Sequence, residues 1–170
     1  GLQLEQKAYA SSFVVSSRGA PDLTFDPTII RPNQGSIELF VKPQIWDKSV
    51  HDIIVAQTSI GTIHALRLYV DTTQYSINFQ VRDSAAQIDV KSTLIFTQND
   101  FENLLNSWIK IMCIWDESWG IKLLVRKVDD VGAGSIQVAE NLNPFTSVPR
   151  GDITSISIGQ DLTQNLSEAL

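Results

Sequence analysis

The stretch SWIKIMCIWDESWGIKLLVRK, residues 107–127, decides the fold class of this chain. Before its short acidic break at residues 116–118, every second residue belongs to one apolar set: Ile109, Ile111, Cys113 and Trp115. A period of two is typical of a β-strand that buries one face. A second apolar run follows the break. The stretch therefore predicts two antiparallel strands joined by a tight turn.

The same period recurs along most of the chain. It is clearest in SIELFVKP (36–43), IHALRLYV (63–70) and YSINFQVR (75–82), and shorter runs are IDVK (88–91) and SISIG (155–159). Only NDFENLLNSW (99–108) has helical spacing, with Asn99 predicted as N-cap and Glu102 completing a capping box. We therefore expect one all-β domain over residues 1–170, an antiparallel β-sandwich with one short helix near residues 99–106.

Composition limits the classes of function. The chain has 19 acidic and 13 basic residues, a net charge of −6, which argues against binding to nucleic acids or anionic membranes. No apolar run approaches the 18 residues of a transmembrane helix, so membrane insertion is not expected. A single cysteine excludes an intrachain disulfide. The chain starts at Gly1 and not at methionine, so we expect a fragment of a larger protein.

Three segments together resemble the laminin G-like group of the concanavalin A-like lectin and glucanase superfamily. They are GSIELFVKP (35–43), the hairpin at 107–127, and DITSISIGQDL (152–162). The resemblance implies a jelly-roll sandwich that serves as a non-catalytic glycan-binding module of an extracellular or surface-exposed protein. One departure is LVRKVDDVGAG (124–134), which lacks the Tyr-x-Asn-Gly that the group often places there.

Catalysis is not expected. Glucanases of this superfamily carry acids at alternate positions of one strand, and retaining hydrolysis needs two carboxyl groups about 5–5.5 Å apart. The sequence contains no such run: Glu38 is alone on its strand, and Asp116 and Glu117 are adjacent at a turn. A glycoside hydrolase remains only as a minority alternative.

Aromatic rings and acids supply the candidate ligand-binding residues. Trp46 and Trp119 lie outside the clean alternation and are the candidates for exposed rings that stack on a sugar, with Asp116 and Glu117 beside Trp119. Of the other two tryptophans, Trp115 is predicted to lie in the core, and Trp108 is predicted to pack against the short helix.

Calcium is a further expectation that comes from the resemblance, since laminin G-like domains often bind Ca²⁺ at a loop edge through carboxylates and carbonyls. The candidate ligands at predicted turns and strand ends are Asp116, Asp129, Asp130 and Asp161. Their spacing alone does not identify a site.

One further alternative stays open. The same fold also suits a structural or protein-interaction module, for example an adhesive or particle component, so the expected partner is a glycan or an extracellular protein. The oligomeric state is not determined by the sequence.

Two short motifs lie near the C-terminus. The tripeptide Arg150-Gly151-Asp152 is expected to be a turn before the last strand, and Asn165 lies in a glycosylation acceptor motif.

Overall fold

The computed structural model describes residues 23–43, 49–59, 63–128 and 136–158. Within these ranges, two antiparallel sheets face each other. In spatial order, the six-stranded sheet contains β1 (Leu23–Phe25), β10 (Ile153–Ile158), β3 (Val50–Thr58), β4 (His64–Asp71), β5 (Ser76–Asp83) and β6 (Ile88–Ile95). The four-stranded sheet contains β2 (Gln34–Val41), β7 (Ile109–Asp116), β8 (Gly120–Lys127) and β9 (Gln137–Asn141). The predicted all-β sandwich is confirmed.

The alternating residues form the core between the two sheets. All four residues that the hairpin pattern assigned to one face of β7 are buried. They meet the inward side chains of β4 and β5, and Trp115 packs against Phe79 with ring centroids 6.0 Å apart. Burial of this continuous apolar layer, at roughly 25 cal/mol per Å² of apolar surface, is the main force that holds the sheets together.

The topology places the β7–β8 turn at one edge of the sandwich. Strands β3 to β6 form a meander within one sheet and β7 to β9 form one within the other. The chain changes sheets between β1 and β2, between β2 and β3, between β6 and β7, and between β9 and β10. Strand β2 is an edge strand that pairs with β7 from Gln34 opposite Asp116 to Val41 opposite Ile109. The start of β2 therefore lies directly beside the turn.

The short helix α1 (Gln98–Glu102) begins earlier than predicted. Its N-cap is Thr97, whose hydroxyl accepts a hydrogen bond from the Asp100 amide at 3.2 Å, so the prediction of Asn99 is wrong. Both positions offer a suitable capping side chain, but capping by Thr97 lets Phe101 face inward. Phe101 is buried and packs against Tyr75.

Position parity separates the two tryptophans of this segment, Trp108 and Trp115. Trp108 has the opposite parity to the buried residues of β7, and its side chain is 45 % exposed. Trp108 therefore lies outside the core, and its packing against the short helix stays a prediction, whereas the core position predicted for Trp115, 3 % exposed, is confirmed. Among the described ranges, no helix has the length and apolar character of a membrane span.

Candidate functional site

The turn between β7 and β8 is shaped by two residues. Asp116 pairs with Gly120 in the strand register, so a three-residue loop joins the strands. One oxygen of the Asp116 carboxylate accepts hydrogen bonds from the amide (2.8 Å) and the hydroxyl (2.5 Å) of Ser118. Gly120 has a φ of +115°, a conformation that L side chains rarely adopt. The ring of Trp119 is half-buried beside this turn.

Asp116 is held in its charged form. The hydroxyl and then the backbone amide of Ser118 hydrogen-bond to the carboxylate, and both lower its pKa from the usual value. The second carboxylate oxygen accepts no hydrogen bond from the described residues. It is therefore an anionic acceptor available to a ligand at neutral pH.

Two of the predicted binding residues, Asp116 and Trp119, line one open cavity of about 440 Å³. The walls combine one aromatic ring, two charged groups of opposite sign, an amide, a hydroxyl and an aliphatic side chain: Trp119, Asp116, Arg31, Gln34, Ser36 and Ile114. Cavities of this size, with a few convergent polar groups, are typical of small-ligand sites.

The base of the cavity is formed by the core residue Trp115. The indole of Trp115 lies under Gly35, and a Cβ added at Gly35 would lie 2.5 Å from an atom of that ring. The indole nitrogen of Trp115 donates to the carbonyl of Arg31 at 2.9 Å. This bond fixes the backbone of the Arg31 segment against the start of β2, so the polar walls are held by a core residue.

A second cavity, of about 400 Å³, shares the wall formed by Arg31, Gln34 and Trp115. Its remaining walls are mostly apolar and come from β1, β2, β10 and the 3₁₀ turn Pro27–Ile29. The polar cavity therefore opens beside an apolar cleft at the sandwich edge.

Glu117, also predicted as a binding residue, does not line the cavity. Its carboxylate accepts a hydrogen bond from the Ser147 hydroxyl at 3.0 Å, and its amide donates to the Asn33 carbonyl at 2.9 Å. Its own carbonyl accepts a bond from the Phe145 amide at 3.1 Å. Glu117 thus ties the turn to two neighbouring segments.

The remaining predicted residues lie outside the described ranges: Trp46, Asp129, Asp130 and Asp161. Among the described residues, no group of three or more histidine, cysteine, aspartate or glutamate side chains is placed to hold a metal ion. Asp116 and Glu117 diverge, so they do not form a calcium site by themselves. Calcium binding stays a prediction.

Sequence reasoning missed three residues of the cavity: Arg31, Gln34 and Ser36. A signal for two of them existed, because Gln34 and Ser36 share the outward parity of Glu38 in the predicted strand. Only the pairing of β2 with β7 brings them beside Asp116. Arg31 precedes the strand, so the alternation of polar and apolar residues in that strand does not include it.

A second polar cluster lies on the outer side of the six-stranded sheet. Arg67 makes a bidentate ion pair with Asp52 at 2.5 and 3.1 Å, and its guanidinium lies 4.4 Å from the centre of the Tyr69 ring. Asn78 donates to Ser76 and accepts from Thr93, each at 2.9 Å. Because these groups already bond to one another, they offer less to a ligand than the cavity at the turn.

His64 adjoins this cluster and makes stability depend on pH. Burial lowers the pKa of His64 below its usual 6.5, and the Arg67 charge lowers it further, while Asp52 and Asp89 act in the opposite direction. Folding therefore favours the neutral imidazole, whereas the unfolded chain takes up a proton near pH 6.5. Stability is retained above that pH and is lost as the pH falls through it.

We expect His64→Gln to flatten the pH dependence of the free energy of unfolding between about pH 5.5 and 7. Urea titrations at several pH values measure this slope. His51→Gln is the matched control, because His51 is the other histidine of the chain. An equal loss of slope in both variants would contradict the assignment to His64.

The tripeptide at residues 150–152 forms a 3₁₀ turn before β10, as expected. The guanidinium of Arg150 donates to the carbonyl of Thr28. This contact joins the tripeptide to the segment between β1 and β2.

Comparison with known proteins does not assign the chain to a family. No protein-family model matches the sequence, and no curated protein is significantly similar to it. The class that the described residues define is therefore an antiparallel β-sandwich with a polar cavity at its edge. The resemblance to laminin G-like domains stays a proposal.

Proposed function

We propose that this chain is a non-catalytic binding module that recognises a glycan through the cavity at the β7–β8 turn. One observation carries the proposal: Trp119 and Asp116 line the same cavity as Arg31, Gln34 and Ser36. An aromatic ring stacks on the apolar face of a pyranose, and the surrounding amide, hydroxyl and charged groups match its hydroxyls. The laminin G-like relationship and an extracellular or surface location are part of this proposal.

The carboxylates favour binding over hydrolysis. Asp116 is the one carboxylate among the described residues that line the cavity, whereas glycoside hydrolysis uses two facing carboxyl groups. Its low pKa suits a hydrogen-bond acceptor and not a general acid, which needs a raised pKa. The neighbouring Glu117 is engaged by Ser147.

Binding to a glycan array, followed by calorimetric titration of the strongest glycan, tests the proposal. We expect Trp119→Ala to weaken the affinity about tenfold or more, equivalent to ~1.4 kcal/mol. Asp116→Asn retains an acceptor for Ser118 but removes the charge, so it should weaken binding while the turn persists.

Trp108→Ala is the matched control, because Trp108 is an exposed tryptophan at the other end of β7. It should bind the glycan like the unaltered protein. Either an array without a bound glycan, or a bound glycan whose affinity is the same after Trp119→Ala, would contradict the proposal.

A further inference from the structure

The outer face of the four-stranded sheet carries an unusual share of the exposed apolar side chains. We define this face by the residues of β2, β7, β8 and β9 that point away from the core, together with the same-parity residues that flank the strands. Five of the nine large apolar side chains that are exposed in the described ranges belong to it: Phe40, Trp108, Val128, Ile136 and Val138. Such clustering marks an interaction surface.

The strand register arranges this face in rows. One row runs from Glu38 through Met112 and Leu124 to Val138. The next row contains Phe40, Lys110 and Arg126. Aromatic residues, methionine and arginine are the types enriched in protein–protein interfaces, while the fully solvated surface favours lysine and glutamate.

A shallow cavity of about 130 Å³ lies within the face. Apolar walls come from Met112, Leu124 and Ile136, and two cations, Lys110 and Arg126, stand at its rim. A cavity of roughly 150 Å³ accepts a benzene ring, so this one suits a single apolar side chain. It is too small for a sugar or a cofactor.

The charges around this cavity are unbalanced. Of the three acids on the face, Glu38 pairs with Lys110 at 3.0 Å, Glu140 pairs with Lys122 at 2.7 Å, and Asp116 lies at the far end of β7, beside the turn. Arg126 is exposed and has no acidic partner among the described residues. The cavity therefore has a cationic rim, although the whole chain has a net charge of −6.

We propose that the outer face docks a segment of another protein that inserts one apolar side chain into the cavity and sets a carboxylate beside Arg126. The guanidinium of Arg126, which has no acidic partner within the described part of the chain, favours a carboxylate, which it binds bidentately. A second copy of this chain fits less well, because a symmetric pairing centred on the cavity brings two cationic rims together. The proposal does not rest on glycan binding.

Three acetylated pentapeptides serve as probes: Asp-Glu-Phe-Asp-Glu, Lys-Lys-Phe-Lys-Lys and Asp-Glu-Ala-Asp-Glu. Titration into ¹⁵N-labelled protein should shift the amide signals of Met112, Leu124 and Ile136 with the first peptide. That peptide should bind about tenfold more tightly than either control, because only it has both the anchor and the charge. Added salt should reduce the difference, since the rim is solvated.

Arg126→Glu should weaken binding of the acidic phenylalanine peptide by about tenfold or more. Lys91→Glu is the matched control, because it makes the same charge change at an exposed lysine of the six-stranded sheet. A preserved dispersion of amide signals shows that both variants fold. Arg126→Ala, which removes the cation without adding an acid, should give a smaller loss.

Four outcomes would overturn the proposal. They are equal binding of the three peptides, shifts confined to another surface, equal losses in the Arg126→Glu and Lys91→Glu variants, and concentration-dependent dimers in sedimentation velocity that Arg126→Glu abolishes. The last would assign the face to a second copy of the chain. Selective binding of the acidic phenylalanine peptide at this face, lost only on changing Arg126, would support it.

Discussion

Gly120→Ala is expected to lower the free energy of unfolding by about 3 kcal/mol, a large effect for a single methyl group. The φ of +115° strains any residue with a side chain. A Cβ at this position would also lie 2.1 Å from the carbonyl oxygen of Asn141, which is backbone and has little freedom to move. The end of β9 must therefore shift away from β8.

Urea unfolding followed by tryptophan fluorescence measures this change. Gly151→Ala is the matched control, because nothing lies within 4 Å of a Cβ built there, and its effect should stay within about 0.5 kcal/mol. Since Gly120 follows Trp119, the variant should also lose glycan affinity. A Gly120→Ala protein as stable as Gly151→Ala would show that the turn does not require glycine.

The arrangement of the core was predictable because one physical rule governs it. Side chains alternate across a strand, so the apolar set of β7 had to face one way once the segment was read as a strand. The same rule places Trp108, whose parity differs from that of Trp115, outside the core.

Burial on the second face of a strand was less predictable. Ser76 and Asn78 have the outward parity of β5, yet both are fully buried. Tyr69 and Phe40 both lie on outward faces, but Tyr69 is 8 % exposed and Phe40 is 46 % exposed. The difference depends on neighbours in adjacent strands, such as Arg67 over the Tyr69 ring, and no local pattern records those neighbours.

The candidate site was predictable in part for the same reason. Trp119 and Asp116 were accessible to sequence reasoning because a turn exposes them and both lie within one short segment. Gln34 joins them only through the pairing of β2 with β7, a contact between distant parts of the chain. Glu117 shows the reverse case, since an acid at a turn was expected to meet a ligand and instead binds Ser147.

Trp115→Ala is expected to lower the free energy of unfolding by about 3–5 kcal/mol, the range for removal of a large buried aromatic residue. The indole is 3 % exposed, packs against Phe79 and donates to the Arg31 carbonyl. Trp115→Phe keeps part of the packing but leaves that carbonyl without its donor, so an intermediate loss is expected. Urea titration measures the loss of stability in both variants. The two losses can be compared when the slope of the free energy of unfolding against urea concentration is the same for each variant.

Trp108→Ala provides the matched control directly before the same strand, because its side chain is 45 % exposed and faces the opposite way. Its cost should be about 1 kcal/mol or less. Equal losses at the two positions would contradict the assignment of inner and outer faces to β7.

Because Trp115 also forms the base of the cavity, Trp115→Phe should weaken glycan binding even under conditions in which the protein remains folded. The core and the proposed site therefore share one residue, and stability and affinity should change together there but separately at Trp119.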